Sequence, residues 1–255
     1  MNKESNIFTF SFAIIMVLIV GTILAVTSEF LMPQKLKNQK DKKMIDILSA
    51  INIEANRNNA QNTYNEFIYD EVIINNQGEI IEGSAFDVDV LFQNRDKTLS
   101  PNDKKYPFFK AKKDGNNYII VPMAGTGLWG PIWGFVSLKS DYKTVYGAAF
   151  AHKAETPGLG AEINTPIFEK PFEGKKIVND NGDFVSIQVK KGGAEKGNLY
   201  QVDGITGGTI TSDGVAVMLD KTLKVYSDYF QSTQDYKSTV DSLKTDSLSN
   251  NLISI

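Results

Sequence analysis

The sequence predicts an α+β fold in which a single N-terminal transmembrane helix precedes a mainly antiparallel domain. Three observations predict it. From Ile7 to Ser28 no side chain is charged. Between Glu71 and Ala151, β-prone runs are joined by turn-rich links as hairpins are. Near Ser212 a glycine-rich turn gives way to an apolar stripe at helical spacing.

The 255 residues are 42% hydrophobic and 22% charged, which is the composition of a folded protein with room for one ordinary domain or two small ones. A net charge of -3 leaves no basic excess to neutralise a phosphate backbone, so no nucleic-acid partner is expected. With 0 Cys and 1 His the chain cannot build a disulfide, a zinc finger, a cysteine-ligated cluster or a multi-histidine metal site. No metal residues are assigned. Redox chemistry here would fall to an organic cofactor, or to metals on other chains.

Residues 1-34 form the expected membrane anchor. The uncharged run of about 22 residues rises about 33 Å as a helix, which spans a bilayer, and it exceeds the core of a signal peptide. Five lysines (Lys35, Lys37, Lys40, Lys42 and Lys43) follow the span and only Lys3 precedes it. Taken alone, that bias places the domain in the cytoplasm, although the rule weakens for long translocated domains. Residues 35-60 read as a charged juxtamembrane linker and then a short amphipathic helix on Met44, Ile47, Leu48 and Ile51.

Residues 61-230 form the expected α+β domain. Glu71-Val-Ile-Ile and Glu79-Ile-Ile flank Asn75-Asn-Gln-Gly78 as a hairpin. Arg95 to Lys113, polar and basic with Pro101 and Pro107, reads as a surface loop. Tyr118 to Pro122 reads as a strand entered through Asp114-Gly115. Ile132 to Leu138 and Thr144 to Ala151 read as a second hairpin across Lys139-Ser-Asp-Tyr-Lys143. Phe184 to Val189 alternates like a half-buried strand. The closing helix starts near Ser212, a candidate N-cap, with Val215, Met218, Leu219, Thr222, Tyr226, Tyr229 and Phe230 on its apolar face. Residues 231-255 read as a weakly ordered polar tail.

The candidate chemistry lies in Asp203-Gly-Ile-Thr-Gly-Gly-Thr-Ile-Thr-Ser-Asp-Gly214. Glycines admit close approach of a ligand to the backbone, and a helix N-terminus offers free N–H groups and a positive dipole end, which suits a phosphate. The segment lacks the Gly-Lys-Ser/Thr ending of a Walker A loop and does not form a dinucleotide fingerprint. On these residues alone a plain structural turn is the simpler reading. Two further glycine-rich stretches accompany it: Gly127-Leu-Trp-Gly130, and Glu155-Thr-Pro-Gly-Leu-Gly160.

Taken in order with the N-terminal span, these motifs resemble the C subunit of the sodium-translocating NADH:quinone oxidoreductases, over nearly the whole chain. The resemblance implies FMN joined through its phosphate to the last hydroxyl of Asp-x-x-Ser/Thr-Gly-Ala-Thr/Ser. Here Asp203, Thr206 and Gly207 match, Gly208 replaces the alanine, and Thr209 becomes the acceptor, with Thr211 and Ser212 as the neighbouring hydroxyls. It implies no catalytic residue in the chain, which would carry electrons rather than turn over alone.

Glu155, Thr156, Gly158 and Leu159 are expected to wall the flavin, the hydroxyl and backbone meeting its polar edge and leucine its face. Trp129 is a further cofactor-binding candidate, although core packing is the simplest role for a tryptophan. The lone His152 is expected to be structural. The resemblance also implies an FAD-dependent flavin transferase for maturation, membrane partners including the B, D and E subunits, and a bacterial inner-membrane location. It puts the domain on the extracytoplasmic, periplasmic side, against the lysine bias. The alternatives are the G subunit of the related ferredoxin:NAD oxidoreductase and a cofactor-free membrane-anchored binding module.

Overall fold

A computed structural model describes residues 6–252. Residues 1–5 of the expected anchor and 253–255 of the expected tail lie outside the described residues. Its elements are α1 (Asn6–Ser49), α2 (Ala60–Phe67), β1 (Ile68–Ile74), β2 (Ile80–Ile81), α3 (Val90–Arg95), β3 (Tyr106–Lys113), β4 (Asn116–Thr126), β5 (Pro131–Leu138), β6 (Val145–His152), α4 (Pro166–Glu169), β7 (Gln188–Lys190), β8 (Gln201–Asp203) and α5 (Thr209–Leu252).

Six strands form one antiparallel sheet in the order β2-β1-β3-β4-β5-β6, while β7 and β8 make a small parallel pair. Side chains alternate across the sheet, so β1 and β3 to β6 each feed two cores. Phe108, Ile119, Val121 and Val136 pack with Met218, Leu219, Leu223, Tyr226 and Phe230 of α5. Phe109, Ile120 and Phe135 pack on the opposite face with Ile47 and Leu48 of α1, Ile51 of the turn that follows it, and Tyr64 of α2.

The membrane run and the segment after it form one helix rather than a span, a linker and a second helix. Pro33 lies inside α1 and deletes one backbone bond there. The apolar stretch reaches a mean hydropathy of 2.7, and none of it is buried by the domain. The C-terminal end of α1 docks on the sheet: the Ser137 hydroxyl of β5 donates at 2.5 Å to the carbonyl of Ala50, the residue after α1, and four residues earlier along both stretches Trp133 meets Asp46. The two elements therefore run in the same direction, and the start of β5 points towards the membrane end of α1.

Arg95 to Lys113 is not all loop. Its second half is β3, inserted between β1 and β4, with Pro107, Phe108, Phe109 and Ala111 buried. Pro107 is tolerated because the pairing of β3 with β4 begins only at Phe109 and Ile120, so no ladder bond to β4 is asked of it. The expected strand over Phe184 to Val189 is reduced to β7 and an isolated bridge from Phe184 to Val178. Helix α5 begins at Thr209 and continues to Leu252, through the segment read as a tail.

Candidate functional site

Three turns converge at the membrane-side end of the sheet. One carries Leu128 and Trp129 into β5, one runs from Glu155 to Gly160 after β6, and one carries Gly207 and Gly208 into α5. Between them lies a cavity of about 360 Å³ lined by Leu128, Trp129, Glu155, Thr156, Leu159, Gly160, Gly207, Gly208, Thr209, Ile210 and Thr211.

The backbone explains why glycine occupies the entrance to α5. Gly207 sits at φ +76°, a left-handed conformation, and a Cβ there would stand 2.6 Å from Leu159 Cδ2. At Gly208 a Cβ would stand 2.9 Å from Ile205 Cγ2 and 3.2 Å from the Gly160 nitrogen. This explains why glycine suits the place where the motif has alanine: Ile205 fills the space.

The three hydroxyls at the head of α5 differ in environment. Thr211 is 1% exposed and donates to Glu155 Oε2 at 2.6 Å. Ser212 is 4% exposed, and its Oγ accepts from the Ile205 nitrogen at 2.9 Å, so it braces the turn from inside the helix rather than capping it. The cap position falls to Gly208, whose carbonyl accepts from the Ser212 nitrogen at 2.9 Å. Thr209 is half-buried, faces the cavity, and makes no side-chain hydrogen bond among the described residues. It opens α5, whose first N–H groups have no intrahelical partners and lie at the positive end of the helix dipole.

Of the residues expected at the site, Trp129, Glu155, Thr156, Leu159, Gly207, Gly208 and Thr209 line the cavity; Asp203, Thr206 and Gly158 do not. Asp203 Oδ1 instead accepts from the Ala194 nitrogen at 2.6 Å, tying the turn after β7 to the end of β8. Gly158 donates its N–H to Glu162 Oε1 at 2.9 Å and shapes the turn, with φ +75°. His152 Nδ1 accepts from the Glu155 nitrogen at 3.1 Å.

Trp129 is not a core residue. It is 64% exposed, and with Leu128 (50%), Leu159 (42%) and Ile210 (57%) it makes an apolar rim around the opening. Leu128, Gly160, Ile210 and Thr211 were not among the expected site residues, although all lie within or beside the motifs. A larger hollow of about 810 Å³ lies between α1 and β5, lined by Lys35, Lys42, Trp133 and Phe135 among others, and it contains none of the candidate residues.

A phosphate-bearing flat aromatic group fits this geometry. Glycine backbone, free N–H groups and an unengaged hydroxyl line it, an apolar rim borders its opening, and the volume falls within the usual range for ligand cavities.

Comparison with known proteins agrees. The FMN-binding domain family matches residues 127–224, a span that contains the whole cavity. The C subunit of the Na(+)-translocating NADH-quinone reductase of Haemophilus ducreyi is 32% identical over 229 residues, covering 84% of this chain and 88% of that protein. The chain belongs to this C-subunit family. The C subunit from Vibrio alginolyticus is 30% identical, over 70% of this chain and 75% of its own length. The crystal structure of the C subunit from Parabacteroides distasonis superposes with a TM-score of 0.71 at 42% identity, over 78% of this chain and 96% of that one. A Shewanella oneidensis structure named NqrC, at 23% identity and TM-score 0.63, shares the fold. As a member of this family, the chain is a component of an oxidoreductase complex, with an N-terminal helix long and apolar enough to anchor it in a membrane.

Proposed function

We propose that Thr209 carries FMN through a phosphoester, and that the chain relays single electrons within a sodium-pumping NADH:quinone oxidoreductase. The observation that carries this reading is the contrast among the hydroxyls: Thr209 is open to the cavity, whereas Thr211 and Ser212 are buried and bonded elsewhere. FMN, when bound, supplies one-electron acceptance and release, which the side chains of this protein cannot.

The chain's own residues have the task of holding and shielding. The free N–H groups of the first turn of α5 would stabilise the single negative charge of a phosphodiester on Thr209. Gly207 and Gly208 let the backbone come close, and Asp203 holds the approach to β8's end in shape. Leu128, Trp129 and Leu159 would offer apolar surface to the ring. An FAD-dependent flavin transferase would form the Thr209 Oγ–phosphorus bond as the pyrophosphate of FAD breaks and AMP leaves.

Because the cavity lies at the end of the sheet nearest the membrane, partners within the bilayer are suited to exchange electrons with it. The proposed partners include the B, D and E subunits. The domain is assigned to the periplasmic side of the bacterial inner membrane, on the strength of family resemblance against the lysine bias.

Mass spectrometry of peptides from the full chain, co-expressed with a flavin transferase, tests the attachment. The FMN mass is expected on the Thr209 peptide, absent in Thr209→Val and retained in Thr211→Val. The reverse pattern would show that the acceptor is Thr211. Digestion of the domain by protease in spheroplasts, and its protection in inverted vesicles, is the expected topology result.

A further inference from the structure

Glu155 is a buried carboxylate, 5% exposed, and it joins all three turns around the cavity. Its Oε1 accepts from the Trp129 nitrogen at 2.8 Å, its Oε2 accepts from the Thr211 hydroxyl at 2.6 Å, and its own N–H donates to His152 Nδ1 at 3.1 Å. Two glycines make room for it: a Cβ on Gly127 or on Gly160 would stand 2.6 Å from one of the carboxylate oxygens. Among the described residues no lysine, arginine or histidine forms an ion pair with it.

Burying a carboxylate without a cation is costly even when its oxygens accept hydrogen bonds. The architecture does not require the charge. A glutamine amide would still accept from the Trp129 nitrogen and could donate to the Thr211 hydroxyl, which is able to accept. The bonds account for the position of the side chain and leave its charge unexplained. A fixed negative charge in a cavity wall, poorly screened by solvent, disfavours the arrival of an electron on any group held in that cavity.

We propose that Glu155 is a positioning residue that locks the Trp129 turn and the first turn of α5 into one wall, and that its charge holds down the reduction potential of the flavin on Thr209. The proposal rests on the Thr209 attachment. Thr211 has the opposite influence, because its hydroxyl spreads part of the carboxylate's charge.

The test is spectroelectrochemical titration of the full chain in detergent, after co-expression with a flavin transferase, with the adduct site read by mass spectrometry on the same samples. Glu155→Gln should carry FMN on Thr209 and favour one-electron reduction at least tenfold more than the wild type, an upward shift of about 59 mV or more. Thr211→Val should shift the potential downward. A loss of packing alone would not move the two variants in opposite directions. A loaded Glu155→Gln protein with the wild-type potential would overturn the proposal. Should Glu155→Gln fail to load, the Thr211→Val titration decides: a downward shift supports the proposal and an unchanged potential overturns it. Wild-type protein without FMN on Thr209 would refute the attachment reading, and the proposal with it.

Discussion

Tyr226→Phe tests what holds α5, and therefore the cavity at its head, against the sheet. Tyr226 is 1% exposed; its hydroxyl donates to the Pro107 carbonyl at 2.6 Å, and burial pushes its pKa well above the usual tyrosine value. Phenylalanine keeps the ring, with its edge contacts to Tyr106 and Phe108 at centroid distances of 6.2 Å, so the change removes the hydroxyl and little packing. Leaving a buried acceptor short of a donor costs about 1–3 kcal/mol, and we take ~2 kcal/mol for this neutral pair. For a domain of this size that lowers Tm by about 4–8 °C. The assay is thermal unfolding of the detergent-solubilised chain by circular dichroism, with Tyr229→Phe as the control, since the half-buried Tyr229 hydroxyl has no hydrogen bond among the described residues. Equal midpoints for the two variants would refute the reasoning.

Three other outcomes follow from positions already described. Gly207→Ala should cost about 1–2 kcal/mol from its left-handed backbone, beyond the clash with Leu159, and FMN loading by mass spectrometry should fall with it. Gly208→Ala should also reduce loading, and Ile205→Ala in the same chain should restore it; no restoration would mean that Ile205 is not the obstacle. Burial, against the lowering pull of the Phe150 N–H and with smaller opposing influences from Asp46 and Lys42, leaves the Glu169 pKa raised above 4.5. The folded state then binds more protons than the unfolded one, so Glu169 lowers stability as pH rises upward from 4.5. Glu169→Gln keeps an acceptor for the Phe150 nitrogen, and its Tm should gain on the wild type through that window and hold the gain above it.

Local patterns in the sequence disclosed most of the fold, because its hairpins are short and its strands alternate cleanly. The elements that were not legible have long-range causes. Tyr106 to Lys113 carries lysines and a proline that signal a loop, and it becomes a strand because β1 and β4 flank it. Ser212 has the chemistry of a cap, yet Gly208 takes that position because the turn before α5 must pass tightly under Leu159 and Ile205. At the site, glycine and hydroxyl spacing marked the three turns but not the job of each side chain. No pattern in sequence could reveal that Glu155 reaches from one turn to bond the other two, or that Trp129 faces outward.

The unbroken path of α1 from the lipid to the sheet makes the anchor a mast rather than a tether. Met44, Ile47 and Leu48 key its upper end into the core, so the heading of the domain follows the heading of the span. Each residue added to or removed from such a helix turns everything above it by about 100° and changes its height by about 1.5 Å. A single inserted alanine near Leu36 would therefore swing the mouth of the cavity to face a different neighbour, while the same insertion in a flexible tether would pass unnoticed. The bearing of the cofactor site is thus written partly in the length of the helix beneath it.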